Sequence, residues 1–566
     1  MGKYTIAVFG LFFAIQGLIS PSYAMVRPEN GNYFVSYVDL RVPLAPALEF
    51  NIERFYNSKS IHEGIFGWRW SSLLETSLSL SPDGSIVIHE TGGGLENRFL
   101  PVNPKTLSVD QAAELIAEAA RSNSSSGLGG HYLDDYKARL KADASFRDRE
   151  WLRFRGAGKV TDKTIADGTQ FVSTADGFQF ITKTGKGFAR KADGGVIHWF
   201  NNSGQLFRIT DANNSAIHIS YDQNNRPTML TDSQFHSLRF TYTKLADGKE
   251  RVSNISDEAA HSLNYKYNEQ GDLIASQDRA GNAYGFRYSV DGQHLLTEVK
   301  NGNRVLHQIG YYDKTLNQNV KWVLEEDGAL KNFTYARDPS DPNHLVVKHT
   351  TKSKQGALLA ERTYEYWKQV SSLGQKTLKK TAIKENGTTT VAEYDNTGLL
   401  LRAAGANGEE SFQYNTQGRV IKKLTGSLIF EFSYKEGTGL VSKIVRSVKD
   451  SNAKPVSTSF DYDSRGSLST LTTSEGDQVR LLHDATGHLL ALVDPPRGIA
   501  MKVKYNEHSL PIEIADAKLG TVTMQYDDLG KIKDLKGTST AENAYSLAIE
   551  FTRVKALIDQ ATFSGL

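Results

Sequence analysis

The sequence of 566 residues contains no cysteine, only 14 prolines and only 5 methionines. Without cysteine the chain can form no disulfide, no thiol nucleophile and no cysteine-ligated zinc site. Charge of one sign is also missing, because 66 basic residues face 64 acidic ones and the formal net charge is +2. That balance does not favour a nucleic acid or an anionic membrane as partner. The fold must therefore depend on its apolar core and its backbone hydrogen bonds.

Residues that suit strands and tight turns are abundant. The chain has 48 glycines, 25 tyrosines and 26 phenylalanines, and hydrophobic residues make up 39% of it. Aromatic residues favour pleated, half-buried surfaces, and glycine favours the turns between strands. The composition therefore predicts a folded protein that is mostly β.

The first 24 residues predict a signal peptide. Lys3 precedes an apolar run from Ile6 to Ile19, and Ser22-Tyr23-Ala24 places small residues at a cleavage site. A membrane anchor is the alternative, but such a span needs about 20 apolar residues. We therefore expect export to the periplasm, the outer surface or the medium, with no transmembrane segment after cleavage.

Residues 25–104 predict a region of short strands. Phe50 to Tyr56 alternate between apolar and polar residues, and Pro82-Asp83-Gly84 is a turn between two apolar runs, which indicates a hairpin. Trp68 and Trp70 are separated by one residue, so we expect them on the same face of one strand.

Residues 105–155 predict a helical insertion of two helices. Ser108 and Gln111 have the spacing of a capping box, and apolar residues follow at helical intervals. A second helix is expected from about Tyr132 to Phe146. This insertion could act as a plug, a lid or a partner-binding surface, or it could be a packing decoration.

From residue 156 to 566 the chain is repetitive. Asp257 is followed after ten residues by Tyr267, after eleven by Asp278 and after ten by Tyr288, so the period is 21 residues. Each repeat tyrosine precedes an Asp or Asn, then a glycine, then an apolar residue. Asp or Asn can bond to the backbone of a turn, and glycine accepts positive φ. Each period therefore predicts a hairpin of two short strands.

We assign the repeat turn to its tyrosine, the following Asp or Asn, and the glycine where one is present. These residues are Tyr221, Asp222, Tyr267, Asn268, Gly271, Tyr394, Asp395, Gly398, Tyr414, Asn415, Gly418, Tyr462, Asp463, Gly466, Tyr526, Asp527 and Gly530.

The pattern Tyr-Asp/Asn-x-x-Gly-x-Leu resembles the YD repeat of bacterial Rhs proteins, wall-associated proteins and teneurins. The segments Asn30–Tyr33, Phe55–Ser58 and Phe66–Trp70 are similar to the start of Rhs-type proteins. This resemblance implies a long, spiralling antiparallel sheet of β-hairpin repeats, which forms a hollow shell or an open barrel. In that family the shell often encloses a C-terminal toxin.

One segment is superficially similar to the self-cleavage region of the toxin-carrying relatives. Asp494-Pro495-Pro496-Arg497-Gly498 lies ahead of Tyr505, at the position of an ordinary turn between strands, and three further strand segments are expected after it. The sequence stops at Leu566. We therefore expect no toxin cargo in this chain.

No motif indicates chemistry. His62-Glu63 and His89-Glu90 lack the second histidine of a zinc protease, and no Gly-x-Ser-x-Gly element occurs. The sequence predicts no catalytic residue, no metal site and no cofactor, and hence no enzyme. The recurring tyrosines could stack on sugars, or they could pack as a ladder along the sheet, which we favour.

The leading functional hypothesis is an exported structural shell that binds or encloses a partner protein or a surface ligand. The first alternative is an encapsulating component of a toxin or contact-dependent competition system that lacks its own toxin. The second alternative is a carbohydrate-binding surface adhesin. An exposed strand at the open rim of the sheet would invite a protein partner or self-association.

Overall fold

A computed structural model of the chain describes residues 22–537, with the exception of 46–47, 93, 103–106, 124–129, 163, 174–178, 192–195, 212–214, 234–235, 372–373, 407, 417, 437–438, 486, 507–509, 519 and 527–531.

The chain begins with a small antiparallel sheet of four strands in the order β1-β2-β3-β6. These strands are β1 (Ser22–Arg27), β2 (Asn32–Ala45), β3 (Leu48–Asn57) and β6 (Trp70–Ser72), and β4 (Glu63–Gly64) pairs with β5 (Gly67–Trp68) beside them. Strand β3 alternates between buried and half-buried residues along its whole length, as predicted. Most of the predicted signal peptide, residues 1–21, lies outside the described residues, whereas the backbone of residues 22–24 belongs to β1.

The two neighbouring tryptophans do not share a strand face, so that prediction is wrong. Trp68 ends β5 and Trp70 begins β6, because Arg69 between them has a φ of 64° and interrupts the extended backbone. Trp70 is fully buried, while Trp68 is half-buried and stacks on His294 at a centroid distance of 4.6 Å.

All remaining described strands form one long sheet in which 36 strands follow one another in chain order. They are β7 (Ser77–Leu80), β8 (Ile86–Glu90), β9 (Leu95–Pro101), β10 (Gln170–Ser173), β11 (Gln179–Thr184), β12 (Gly187–Lys191), β13 (Ile197–Phe200), β14 (Leu206–Thr210), β15 (Ala216–Tyr221), β16 (Pro227–Asp232), β17 (Ser237–Lys244), β18 (Glu250–Ser256), β19 (Ser262–Tyr267), β20 (Leu273–Gln277), β21 (Ala283–Tyr288), β22 (Leu296–Asn301), β23 (Arg304–Tyr311), β24 (Val320–Glu325), β25 (Leu330–Asp338), β26 (Asp341–Lys352), β27 (Leu358–Val370), β28 (Lys376–Glu385), β29 (Thr388–Tyr394), β30 (Leu400–Gly405), β31 (Gly408–Tyr414), β32 (Val420–Thr425), β33 (Leu428–Tyr434), β34 (Val441–Val448), β35 (Val456–Tyr462), β36 (Leu468–Thr473), β37 (Gln478–His483), β38 (Leu489–Asp494), β39 (Ile499–Tyr505), β40 (Pro511–Asp516), β41 (Gly520–Tyr526) and β42 (Ile532–Gly537).

The long sheet confirms the predicted fold class. Neighbouring strands pair antiparallel, as in β19 with β20 and β20 with β21. The hairpin around Pro82-Asp83-Gly84 is present as β7 and β8. Asp494 and Ile499 pair across a turn, as predicted for that segment, although four described strands rather than three follow it.

The sheet is open, since no described strand joins β42 to β7. The outer edge of its first strand, β7, is nevertheless in part hydrogen-bonded. Leu78 donates its backbone N–H to the carbonyl of Gly204 at 2.7 Å, and Ser77 forms a bridge with Gln205. The first eight strands therefore curl until β7 meets the turn before β14. Strands β7 to β9 belong to this sheet although they lie within the segment 25–104.

The insertion between β9 and β10 holds three helices rather than the expected two: α1 (Val109–Asn123), α2 (His131–Ala142) and α3 (Ala144–Gly156). The capping box is present, with Ser108 Oγ accepting from the Gln111 backbone at 3.1 Å. The second helix ends early because Asp143 caps a third one, accepting from the Phe146 backbone at 2.9 Å. Among the described residues, no helix combines the length and apolarity needed to cross a membrane.

The apolar residues form three separate cores. The largest joins the N-terminal strands to the long sheet as far as Phe333, and the second begins at Val441 and continues to Met524. The helices have a third core of their own around Ile116, Leu140 and Trp151. Strands β26 to β33 thus lie between the two sheet cores.

Candidate functional site

The predicted repeat turns all have the same geometry where they are described. In the turn after Tyr267, Asn268 donates its backbone N–H to the carbonyl of Asp272 at 3.0 Å, and Asn268 Oδ1 accepts from the Asp272 backbone at 2.8 Å. Gly271 has a φ of 80°, which a residue with a Cβ atom rarely adopts. A type I turn that ends in such a glycine is a common connection in hairpins. The Asp or Asn and the glycine therefore define this turn together.

The other predicted turns repeat these bonds. The backbone N–H groups of Asp395, Asn415 and Asp463 donate to the carbonyl four residues on, each at 2.9 Å. The φ angles of Gly398, Gly418 and Gly466 are 101°, 79° and 87°.

In one turn an asparagine takes the place of the glycine. Asp222 holds its turn in the same way, but Asn225 takes the glycine position with a φ of 60°. Asparagine tolerates this region better than most residues. Tyr526 ends its strand as predicted, whereas Asp527 and Gly530 lie outside the described residues.

Each repeat tyrosine marks a β-bulge. The strand ends at Tyr267 and the next begins at Leu273, but Lys266 pairs with Ala275, so Ile274 has no partner opposite it. The same register shift occurs at Tyr221, Tyr394, Tyr414, Tyr462 and Tyr526. A bulge bends its strand and increases the local twist. Because the bulges recur at the same end of successive hairpins, they favour a sheet that curls in one direction.

The tyrosine hydroxyls connect one hairpin to the previous one. Tyr267 donates to the carbonyl of Val252 at 2.7 Å, and Tyr288 donates to that of Leu273 at 2.7 Å. The acceptor lies at or near the start of a strand in the preceding hairpin, since Leu273 begins β20 and Val252 is the third residue of β18. Among the predicted tyrosines, the same bond is made by Tyr221, Tyr414, Tyr462 and Tyr526, and Tyr394 lacks it within the described residues.

Burial keeps these phenols neutral. It raises the pKa of Tyr414 and of Tyr526 to about 12, and it raises the pKa of Tyr267 further. A neutral phenol can continue to donate its hydrogen bond at any physiological pH. The geometry thus favours packing and bonding along the sheet for these tyrosines, and their stacking on sugars stays a prediction.

The sequence analysis missed the contact between the N-terminal sheet and the long sheet. The two meet face to face: Tyr37 lies 4.7 Å from Tyr284 between ring centroids, and Phe66 lies 5.0 Å from Tyr265. Trp70 donates its Nε1–H to the hydroxyl of Tyr288 at 2.8 Å. The N-terminal sheet therefore covers the face of the long sheet on which the repeat tyrosines lie, which we call the inner face.

A buried ion pair lies at the centre of this contact. Arg54 Nη2 contacts Asp39 Oδ1 at 2.9 Å, and both side chains are fully buried. Two groups of the long sheet complete the cluster, since Tyr265 donates to Asp39 at 2.8 Å and Ser276 accepts from Arg54 at 2.9 Å. Burial alone would lower the pKa of Arg54, but Asp39 raises it above its usual range. We call these four residues the Arg54 cluster.

The large core beneath the N-terminal sheet ends at Phe333. Two positions before the repeat tyrosine, Tyr265 and Phe286 are 4% exposed beneath the N-terminal sheet. At the equivalent position Phe412 is 5% exposed, whereas Phe432 is half-buried, and Ile383 on the same face is 38% exposed. Strands β26 to β33 therefore present an inner face on which aromatic and aliphatic side chains are in part accessible.

No arrangement of side chains in the described part indicates catalysis. His62 pairs with Glu75 at 2.9 Å and His89 contacts Ser79 at 2.8 Å, so both histidines singled out in the sequence have structural partners. Within the same residues, no group of three His, Asp or Glu side chains is placed to hold a metal ion. These contacts join neighbouring strands.

Taken together, a chain of hairpins with a recurring tyrosine, bulge and turn defines a β-hairpin shell of the YD-repeat class. Comparison with known families agrees: residues 184–313 match the model of the teneurin YD-shell, and residues 24–97 match a domain of unknown function (DUF6531). The match over residues 184–313 confirms the predicted resemblance to the Rhs/YD-repeat family.

The individual relatives are distant. The chain is similar to Teneurin-3 of Mus musculus, with 25% identity over 266 residues, which is 44% of this chain and 8% of that protein. Similarity to Teneurin-4 of Homo sapiens is 24% over 267 residues, again 44% of this chain and 8% of the relative. The chain spans less than a tenth of either relative.

Two solved structures are also similar over most of the chain. The Photorhabdus luminescens Tc holotoxin pore has 13% identity and a TM-score of 0.27, with 90% of this chain and 29% of that chain covered. The TcdB2-TccC3 complex without its hypervariable C-terminal region has 10% identity and a TM-score of 0.33, with coverage of 96% and 39%.

Proposed function

We propose that this protein is an exported structural shell that binds a partner protein on the inner face of strands β26 to β33. The observation that carries the proposal is the gap between the two sheet cores. The core beneath the N-terminal sheet ends at Phe333, and the next core begins at Val441. An apolar face that is left accessible between two covered ones is a common feature of protein interaction sites.

The recurring aromatic positions support the proposal. Phe430 and Phe432 lie two residues apart on β33, so both project to the same face, and both are half-buried. Beneath the N-terminal sheet the equivalent side chains are buried by contacts within the chain. On β33 a partner would supply those contacts. Encapsulation of a separately encoded toxin is one form of this proposal.

The edge of the long sheet is a weaker candidate for self-association than the sequence suggested. Strand β7, at one end of the sheet, is already bonded to Gly204, so its edge is in part occupied. Self-association through a free edge at that end is therefore less favoured than binding to the inner face.

The test uses the full chain, purified from its own cells after export. Light scattering and small-angle scattering give the mass and shape of the wild type, and N-terminal sequencing should begin at Met25. We expect a particle heavier than one copy of the chain, with a stoichiometric second protein. Phe432→Asp should abolish the association and lower the melting temperature by much less than Phe286→Asp, because Phe432 is only half-buried.

Two matched variants serve as controls. Ser433→Asp places the same charge on the opposite face of β33 and should keep the partner. Phe286→Asp changes the equivalent position beneath the N-terminal sheet and should destabilise the chain, because it buries an unpaired charge. A monomer without any bound protein in wild-type material, or a partner that survives Phe432→Asp, would refute the proposal.

A further inference from the structure

The helical insertion lies at the same end of the long sheet as the repeat turns. Neighbouring strands alternate in direction, so every turn from an odd-numbered strand to the next even-numbered one falls at one end of the strands. The repeat turns, the turn between β7 and β8, the connection from β9 to β10 and the turn between β27 and β28 are all of this kind. The insertion and the β27–β28 turn are therefore at the same end.

A buried network of charges attaches α3 to the first strands of this sheet. Arg98 on β9 contacts Asp148 of α3 and pairs at 3.2 Å with Asp83, in the turn between β7 and β8. Ser81 donates to Asp148 Oδ1 at 2.5 Å. The three charged side chains are at most 8% exposed. Because breaking a buried ion pair is costly, α3 is held firmly to β7, β8 and β9.

The junction between α2 and α3 contacts the β27–β28 turn, far along the same sheet. Ala144, the first residue of α3, donates its backbone N–H to the carbonyl of Gly374 at 3.1 Å. The first N–H groups of a helix have no acceptor within the helix, so this distant carbonyl satisfies one of them. Gly374 is buried, and a Cβ atom added to it would lie 2.8 Å from the carbonyl oxygen of Lys141. The contact is therefore too close for any residue but glycine.

The turn between β26 and β27 has the same backbone geometry without this contact. Ser353 and Ser371 each donate the backbone N–H to the carbonyl four residues on, at 2.8 Å. The φ angles of Gly356 and Gly374 are 86° and 78°. A Cβ atom added to Gly356 would have no heavy-atom neighbour within 4 Å in the described part of the chain. The turn itself thus explains both positive φ angles, and the contact with the helices distinguishes Gly374.

This contact joins two parts of the sheet that have no common core. Strands β7 to β9 contribute to the largest core, whereas the β27–β28 hairpin lies between that core and the second one. A further connection runs from Lys368 on β27 to Glu29, at 2.8 Å, but these side chains are 33% and 39% exposed. Exposed pairs of this kind contribute little. The buried contact at Gly374 is therefore the stronger of the two.

We propose that the helical insertion is a clasp, which holds the β27–β28 hairpin to the start of the long sheet. Its fixed side is the attachment of α3 to β7, β8 and β9, and its releasable side is the single contact between Ala144 and Gly374. Release of that contact opens the shell at the end where the repeat turns lie. The proposal is independent of what binds to the inner face.

Pulsed electron paramagnetic resonance of the spin-labelled full chain tests the clasp. Because the sequence has no cysteine, Val102→Cys and Lys376→Cys introduce the only two thiols. Val102 follows β9, Lys376 begins β28, and both side chains are exposed. With no other change we expect one narrow distribution of distances between the two labels, because the clasp fixes the separation of these strands.

Two glycines provide matched variants in the labelled chain. Gly374→Ala should broaden the distribution towards longer distances, since the added Cβ atom displaces the turn from Lys141. Hydrogen exchange of the Ala144 amide should become about tenfold faster, as expected for the loss of one hydrogen bond. Gly356→Ala introduces the same positive-φ strain and should change neither measurement, so a difference between the variants reports the contact and not the turn.

Replacing residues 107–156 by a short Gly/Ser linker removes the clasp and leaves the β27–β28 turn unchanged. It should broaden the distances between the labels as Gly374→Ala does, and it provides the test if Gly374→Ala does not fold. Three results would overturn the proposal. The distribution stays narrow without the helices, it is already broad in the labelled chain with no further change, or Gly356→Ala broadens it as much as Gly374→Ala.

Discussion

Replacing Arg54 should weaken the contact between the N-terminal sheet and the long sheet. The guanidinium is fully buried, pairs with Asp39 and donates to Ser276 at 2.9 Å. Five aromatic rings surround it, with centroids between 5.0 and 5.9 Å from its central carbon. Arg54→Met keeps much of the volume but leaves the Asp39 carboxylate buried without its counterion.

The expected cost is large because desolvation is no longer offset. Removing one partner of a buried ion pair typically costs about 3–5 kcal/mol. Tyr265 still donates to Asp39 at 2.8 Å, which places the loss nearer the lower end of that range. In the double variant Arg54→Met with Asp39→Leu no charge remains buried, so its free energy of unfolding should return to within about 1–2 kcal/mol of the wild type.

Urea unfolding of the full chain measures these differences, and hydrogen exchange locates them. Protection should fall first in β1 to β6 and remain in β35 to β41, which belong to the separate core.

The reasoning would be refuted if Arg54→Met cost less than about 1 kcal/mol, since a buried carboxylate cannot lose its counterion so cheaply. It would also be refuted if the double variant were no more stable than the single one. In either case the aromatic contacts alone would hold the N-terminal sheet, and the ion pair would be incidental.

Four further outcomes are expected. Gly271→Val forces a β-branched residue into positive φ and should cost about 1–3 kcal/mol in thermal unfolding, whereas Gly285→Ala, within a strand and with no neighbour nearer than 3.9 Å to the added Cβ, should be tolerated. Tyr267→Phe removes one bond between hairpins and should cost about 1 kcal/mol in the same assay; no change would mean that packing alone joins the repeats. Replacing residues 107–156 by a short Gly/Ser linker should remove the helical signal in circular dichroism and keep the β signal, because β9 and β10 pair directly. Loss of both signals would mean that the helices are part of the shell core. Burial, and after it the charge of Arg362, lowers the pKa of His349 to about 4. The folded state should therefore lose up to about 3 kcal/mol of stability as pH falls from about 6.5 to 4. Thermal unfolding of His349→Phe should show a smaller loss over the same pH range.

The repeat turns could be predicted because all their determinants are local. The Asp or Asn bonds to a backbone group four residues on, and the glycine supplies its own positive φ, as in Asn268 and Gly271. The same holds for the capping box at Ser108. Such signals can be recognised in the sequence because the interacting residues are close along the chain. They were enough to identify the hairpins, their period and the fold class.

Predictions from local patterns were wrong at two places, where a positive backbone φ or an additional helix cap changed the secondary structure. Arg69 adopts positive φ although nothing in its residue type requires it, and this separates Trp68 from Trp70. Asp143 interrupts a helical pattern that otherwise continues, so that a third helix begins there. In both cases several continuations fit the sequence, and long-range packing selects among them.

By itself, the sequence determined that the chain is a repeating antiparallel hairpin sheet with a tyrosine and a turn in each period. Only the tertiary structure decided what lies against that sheet. Arg54 and Ser276 are separated by 222 positions, and Ala144 bonds to Gly374 in a distant turn, so no local pattern connects them. Burial, the pairing of charges and the accessible part of the inner face depend on such distant contacts. They arise only when the sheet curls and the N-terminal strands pack across it.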